Sequence, residues 1–126
     1  MMKRIDIYFL LLATVLLLCG AGLGIKMGTS EDFTLTPVHA HLNLAGWASL
    51  ALFGLVYRAY PQLAERRIAP FHFIVSATGS VLLPIGIGFA VLKNQPLLAI
   101  IGSLFWLLGV LLFLVQLLSL LRTRES

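Results

Sequence analysis

The sequence predicts an all-α membrane protein, a bundle of four transmembrane helices with both termini in the cytoplasm. Three observations predict it. The 126-residue chain is 60% hydrophobic, 11% charged and has a mean hydropathy of +0.99, and a soluble domain of this size cannot hide so much apolar surface. Four windows without acidic or basic residues reach the length of about 20 residues that a bilayer span needs. The basic residues fall mostly on one side of these windows.

The four windows predict helices over about residues 7–25, 37–60, 69–92 and 96–121, which make residues 1–126 a single domain. Thr36 is expected to cap the second helix ahead of Pro37, and Pro70 and Pro96 are expected to begin the third and fourth. Residues 28–36 form a polar loop in this scheme. The first window has the basic start of a signal peptide, but its apolar run is long and lacks a clear small-x-small cleavage site, which favours a retained helix.

The distribution of basic residues predicts the orientation of the helices. Only Lys26 and Lys93 fall in the first and third loops. Seven others fall at the termini and in the second loop: Lys3, Arg4, Arg58, Arg66, Arg67, Arg122 and Arg124. The positive-inside rule then places both termini in the cytoplasm of a bacterial-type plasma membrane. The net charge of +4 is therefore a topology signal, and it does not predict nucleic-acid binding.

The stretch PVHAHLNLAGW, residues 37–47, carries polar groups at the start of a membrane helix. His39 and His41 are about 200° apart on a helix that turns about 100° per residue, so they face different neighbours and cannot share one metal ion. Small residues follow each histidine and leave room for a flat ligand. The His39 face continues as Asn43, Gly46 and Leu50, and the His41 face as Ala45, Ala48 and Leu52.

Two interpretations of this pair stay open from the residues alone. Histidine is tolerated near the membrane interface, where Trp47 would belong to an ordinary aromatic belt. Intramembrane polar groups are costly and usually functional, which favours metal or cofactor ligands. Asn43 could donate to a histidine ring and fix its tautomer, or bond to a neighbouring helix.

The other polar residues in the windows predict structure rather than chemistry. His72 begins the third helix at the opposite membrane face, beside Arg66 and Arg67, and is interpreted as interfacial. Gln116 is interpreted as a hydrogen-bonding link between helices, and Cys19, the single cysteine, as an inert buried thiol. The sequence offers no Ser-His-Asp set, no paired carboxylates, no CxxC motif and no phosphate loop.

The segment HAHLNLAGWASLALFGLVYRAYP resembles the histidine-bearing helices of the catalytic subunit of heme-copper oxidases and nitric oxide reductases. That subunit has three arcs of four helices, and the second helix of an arc carries metal-binding histidine. Here H-x-H also lies in helix 2 of four, at the predicted outer end. The resemblance implies a small stand-alone relative. A finished oxygen-reducing site would also need three copper-binding histidines, which this chain does not supply.

The resemblance implies a b-type heme (protoheme) with His39 and His41 as axial ligands and Asn43 and Gly46 beside it. The expected function is electron transfer, or a redox or gas-related role with a redox partner, and whether the chain is an enzyme stays open. A structural or assembly protein without cofactor is the main alternative, and a small transporter is another. Because each chain aims its two histidines apart, a bis-histidine heme needs two chains. We therefore expect a homo-oligomer in the lipid bilayer, a ring-closed homotrimer above others.

Overall fold

The structure is a computed structural model that describes residues 4–122. It contains four helices long and apolar enough to cross a membrane: α1 (Ile5–Ser30), α2 (Thr36–Ala59), α3 (Ile68–Lys93) and α4 (Leu97–Arg122). The described part of the chain has no strand. The predicted set of four helices, each long and apolar enough to cross a membrane, is thus confirmed. Lys3 and Arg124, which contributed to the orientation argument, lie outside the described residues.

The helix bounds agree with the predicted ones to within two residues except at the end of α1. The helix continues to Ser30, and side-chain hydroxyls there bond back to the preceding turn: Thr29 Oγ1 lies 3.0 Å from Ile25 O, and Ser30 Oγ lies 2.8 Å from Lys26 O. Glu31 then ends α1 with a left-handed backbone, at φ 54°. The prediction that residues 28–36 form the loop was therefore wrong at both of its ends, since helix also resumes at Thr36.

The short loop between α1 and α2 is held by local hydrogen bonds. Asp32 Oδ1 accepts from Thr34 Oγ1 at 2.6 Å and from Thr34 N at 3.0 Å, and these bonds, the side-chain one foremost, lower the pKa of Asp32. Thr36 does not cap α2 as predicted. Its hydroxyl donates to Phe33 O at 2.7 Å, and Thr36 is already the first helical residue.

Helix α2 changes its winding just after the two histidines. It is α-helical over Thr36–His41, π-helical over Leu42–Ala48 and α-helical again over Ser49–Ala59. The backbone N–H of Ser49 bonds to Leu44 O, five residues earlier. Such a segment adds a residue to the turn, and π-helix occurs mostly as short bulges inside α-helices, frequently at functional sites. The rotation of about 100° per residue therefore describes the directions of His39 and His41 correctly. It does not describe those of the residues in the π-helical segment that follows.

Heptad-spaced glycines bring α3 and α4 into backbone contact. A Cβ atom at Gly79 or Gly86 of α3 would meet the backbone of Trp106 or Ala99 of α4. From the other side, a Cβ atom at Gly102 would lie 2.6 Å from Leu83 N. Small residues of this kind let membrane helices pack closely.

The main packing runs in chain order, α1 on α2, α2 on α3 and α3 on α4. The core lies toward one end of the bundle, where Phe9 stacks on Tyr57 with ring centroids 5.6 Å apart. We call this the basic end, because Arg4, Arg58 and Arg66 lie there; the distal end carries the loop of residues 31–35. Elsewhere the helices expose leucine, isoleucine and phenylalanine, as a lipid-facing surface does.

Candidate functional site

His39 lies between α1 and α2 at the distal end. Its Nδ1 is 2.8 Å from the carbonyl oxygen of Gly20. The ring lies against Gly24, where an added Cβ atom would be 2.8 Å from His39 Cε1. A carbonyl oxygen only accepts hydrogen bonds, so Nδ1 carries the hydrogen and Nε2 keeps its lone pair. The glycines of α1 thus make room for the imidazole, and α1 fixes its tautomer.

Asn43 supports His39 through the backbone rather than through the ring. Its Nδ2 donates to His39 O at 2.9 Å and lies 3.4 Å from His39 Nδ1. Since that Nδ1 already donates to Gly20 O, it cannot also accept from an amide nitrogen. The amide packs on Gly20, where an added Cβ would be 2.8 Å from Asn43 Oδ1. Two roles were open for Asn43: a donor to a histidine ring, or a bond to a neighbouring helix. The observed bond, to a carbonyl of its own helix, is neither of these.

His41 faces the opposite side of α2, as the 200° separation predicts. Its Nδ1 is 2.8 Å from Pro37 O, one turn earlier, so the same logic leaves Nε2 with the lone pair. The ring borders an open groove of about 310 Å³, lined also by Leu44, Ala45, Ser49, Leu83 and Trp106. Ala48 and Leu52 were predicted to lie below His41 on this face of α2. Ser49 borders the groove instead, because the π segment rotates the residues that follow His41.

The wall of this groove, which we call the His41 groove, is tied to the rest of the bundle. Ala45 O accepts from Ser80 Oγ of α3 at 2.9 Å and from Trp106 Nε1 of α4 at 3.3 Å. Gly46 lies on another side of α2, where an added Cβ would be 3.0 Å from Leu16 of α1. In one chain Gly46 therefore serves the packing of α1 on α2, and its place beside a cofactor stays a prediction.

A second polar cluster occupies the basic end, centred on His72. The side chain is fully buried, so the prediction of an interfacial residue was wrong. Tyr57 Oη lies 2.9 Å from His72 Nδ1, and Gln116 Nε2 donates to Tyr57 Oη at 2.9 Å. Gln116 also bonds Leu63 O at 3.1 Å, while Arg66 Nη1 donates to Gln116 Oε1 at 2.6 Å. The interpretation of Gln116 as a link between helices is confirmed.

Cys19 is the other residue whose surroundings differ from the expected ones. It is exposed on the surface of α1, so the prediction of a buried thiol was wrong for the single chain. Within residues 4–122 no group of three or more histidine, cysteine, aspartate or glutamate side chains is placed to hold a metal ion. One chain thus offers His39 and His41 as separate single donors.

No protein-family model matches the chain, and neither does any curated protein or any solved structure.

The contact between Gly24 and His39 predicts that the same substitution has different effects at Gly24 and at Gly22, two residues away on α1. Gly24→Val is expected to push the imidazole out of place and break its bond to Gly20 O, because the new Cβ would lie 2.8 Å from the ring. Gly22→Val is the matched control, since nothing lies within 4 Å of a Cβ there. Histidine ring ¹⁵N chemical shifts measure the tautomer of His39. Equal spectra for the two variants would contradict the contact.

Proposed function

We propose that the protein is a b-type heme protein of the membrane, with heme held between protomers by His39 of one chain and His41 of the next. One observation carries the proposal. Each histidine has its Nδ1 on a backbone carbonyl, at 2.8 Å in both cases, and an Nε2 without a hydrogen-bond partner in the described part of the chain. Metal-ligating histidines almost always donate their other ring N–H in this way, which fixes the ring and raises its basicity.

The His41 groove fits one face of a flat, apolar ligand. Its walls are largely apolar, from Leu44, Leu83 and Trp106, and its volume of about 310 Å³ is at the low end of the range of ligand pockets, about 300 to 1,000 Å³. A second wall must come from elsewhere, and the His39 side of another copy supplies both a wall and a second ligand. Heme bound there would supply one-electron redox chemistry, and the imidazoles of His39 and His41 would hold it and tune its potential.

The proposed assembly is a head-to-tail ring, which the opposite directions of the two histidines support. Since His39 and His41 point away from each other on α2, a contact that joins one to the other is head-to-tail, and such contacts close into a ring when the rotation between neighbours divides a full turn. A two-fold dimer would instead pair like with like. The four-helix arc that the chain resembles occurs three times around the larger oxidase subunit, which favours three copies here. Electron transfer is the role we assign to this assembly.

A structural role is the second candidate, and a specific bond favours it. The hydrogen bond from His39 Nδ1 to Gly20 O joins α2 to α1, as a histidine that only stabilises the bundle would do. The two candidates differ in hemin uptake. A heme protein binds hemin through both histidines, whereas a structural protein binds none and loses only stability when His39 is replaced.

The proposed orientation places both termini in the cytoplasm and the His41 groove near the outer face. Cysteine labelling tests it in a Cys19→Ser background, because Cys19 is itself exposed. Thr29→Cys, at the distal end, is expected to react with a membrane-impermeant maleimide from outside intact cells. Gln62→Cys, in the exposed linker at the basic end, should react only after the membrane is opened. The reverse pattern contradicts the orientation.

A further inference from the structure

A polar pocket lies at the basic end, between the start of α1, the end of α2 and the linker that follows α2. Its volume is about 410 Å³, which lies within the range of ligand pockets, about 300 to 1,000 Å³. Its lining carries two cations and two carboxylates, those of Arg4, Arg58, Asp6 and Glu65. We call it the basic-end pocket. These four residues belong to one chain, so the pocket depends neither on heme nor on an oligomer.

Asp6 forms the buried floor of this pocket, with 7% of the residue exposed. Arg58 Nη1 lies 3.5 Å from its Oδ2, and Arg4 Nε lies 3.9 Å from its Oδ1. Charge-assisted hydrogen bonds of this kind are usually about 2.7 to 2.9 Å long. Among residues 4–122 no closer polar partner approaches the Asp6 carboxylate. A buried charge needs close hydrogen-bonding partners, and this one is short of donors.

The two arginines form the exposed rim of the basic-end pocket. The side chains of Arg4 and Arg58 are 65% and 71% exposed, against 10% for that of Asp6. A guanidinium has five N–H donors, and the contact with Asp6 uses one from each arginine. The remaining donors form a planar fork that matches a phosphate group. The pocket therefore combines an acidic floor with a rim that suits phosphate.

We propose that the basic-end pocket binds the headgroup of a zwitterionic phospholipid with a primary ammonium, of the phosphatidylethanolamine class. The ammonium is the tip of such a headgroup, so it would reach the floor first and donate to the Asp6 carboxylate. The phosphate lies next along the headgroup and would meet Arg4 and Arg58 at the rim. The acyl chains would stay in the bilayer, against the leucines that α1 and α2 expose.

The charges of the pocket select this class among phospholipid headgroups. A primary ammonium has three N–H donors for the floor, whereas a choline headgroup is a quaternary cation and has none. An anionic headgroup without a cation would leave Asp6 without its missing donor and bring a like charge toward it. Two arginines and two carboxylates balance, as the two charges of a zwitterion do.

Lipid binding to the purified full chain without heme, followed by native mass spectrometry, tests the proposal. The probes are phosphatidylethanolamine, its N-methyl and N,N-dimethyl forms, phosphatidylcholine and phosphatidylglycerol, all with the same acyl chains. We expect phosphatidylethanolamine to bind about tenfold more tightly than phosphatidylcholine, with a stepwise loss along the methylated series, because hydrogen bonds to the charged floor are lost. Phosphatidylcholine or phosphatidylglycerol that binds as tightly as phosphatidylethanolamine overturns the proposal.

Soluble glycerophosphoethanolamine distinguishes a lipid from a free zwitterion. It carries the same headgroup without acyl chains and should displace the lipid only at much higher concentration. If it binds as tightly as the lipid, the ligand is a free zwitterion and the assignment to a lipid is wrong.

Two substitutions locate the binding in the basic-end pocket. Asp6→Asn is expected to remove the preference for phosphatidylethanolamine over phosphatidylcholine, whereas Arg58→Gln should weaken both lipids alike, since both carry the phosphate. Glu31→Gln is the matched control, because Glu31 is an exposed acidic residue at the distal end, and it should change neither. An Asp6→Asn protein that keeps the full preference overturns the proposal, and the lipid series on the unsubstituted chain decides the matter if that variant does not fold.

Discussion

His39→Ala and His41→Ala are each expected to turn a low-spin heme spectrum high-spin and to weaken heme retention in every site of the assembly. The reason is that, in the proposed assembly, each boundary between chains would use one His39 and one His41, so either substitution would remove one heme ligand everywhere. Absorption spectra of the purified variants, with the heme-to-protein ratio, measure the effect. Gln95→Ala is a suitable control, because Gln95 is exposed in the turn before α4.

A mixture of the two variants separates the head-to-tail ring from other arrangements. In a ring assembled at random from equal amounts, roughly a quarter of the boundaries join an intact His39 to an intact His41, since each condition is met half of the time. A minority low-spin signal should therefore return on mixing during assembly. A substitution that leaves the spectrum unchanged, or a monomeric mass with a full bis-histidine heme, contradicts the arrangement.

Gly86→Ala is expected to separate α3 from α4 and to destabilise the protein strongly. The added Cβ atom would meet the backbone of Ala99 and lie 2.5 Å from Leu98 C, and helix backbone cannot move aside as a side chain can. Overpacking typically costs about 1 to 3 kcal/mol and sometimes more, against a gain of at most about 1 kcal/mol from replacing glycine within a helix. The cost of the clash should exceed this gain, so we expect a lower unfolding temperature. Thermal unfolding in detergent measures it.

Gly88→Ala is the matched control for this prediction. Gly88 lies two residues away on α3, and the nearest atom to an added Cβ is Val38 Cγ2 at 3.8 Å, an ordinary contact. Its unfolding temperature should equal or slightly exceed that of the unsubstituted protein. If Gly86→Ala is as stable as Gly88→Ala, the close approach of α3 and α4 is wrong.

Hydropathy predicted the four helices, since a membrane span requires a long apolar run and the charged residues of this chain interrupt such runs only at the loops. It could not predict that Thr29 and Ser30 stay helical, because their polarity also suits a loop. The opposite orientation of His39 and His41 followed from helix geometry alone, because both lie in the α-helical part of α2, Thr36–His41.

The remaining features depend on contacts that the sequence pattern does not encode. The π segment Leu42–Ala48 has no apparent sequence signal, so the position of Ser49 beside the groove could not be derived. Tyr57 and His72 are 15 residues apart and meet only because the linker brings α2 and α3 together. His72 lies close to basic residues in sequence, which suggested an interface, while its ring turns inward among aromatic side chains.

The absorption spectrum of the purified protein, before and after addition of hemin and then of a reductant, tests the heme proposal most directly. The two free Nε2 atoms predict a Soret band that grows on hemin addition up to one heme per chain, with sharp α and β bands in the reduced protein, as six-coordinate heme gives. A colourless protein that takes up no hemin would contradict the proposal and leave His39 and His41 as structural hydrogen-bonding residues.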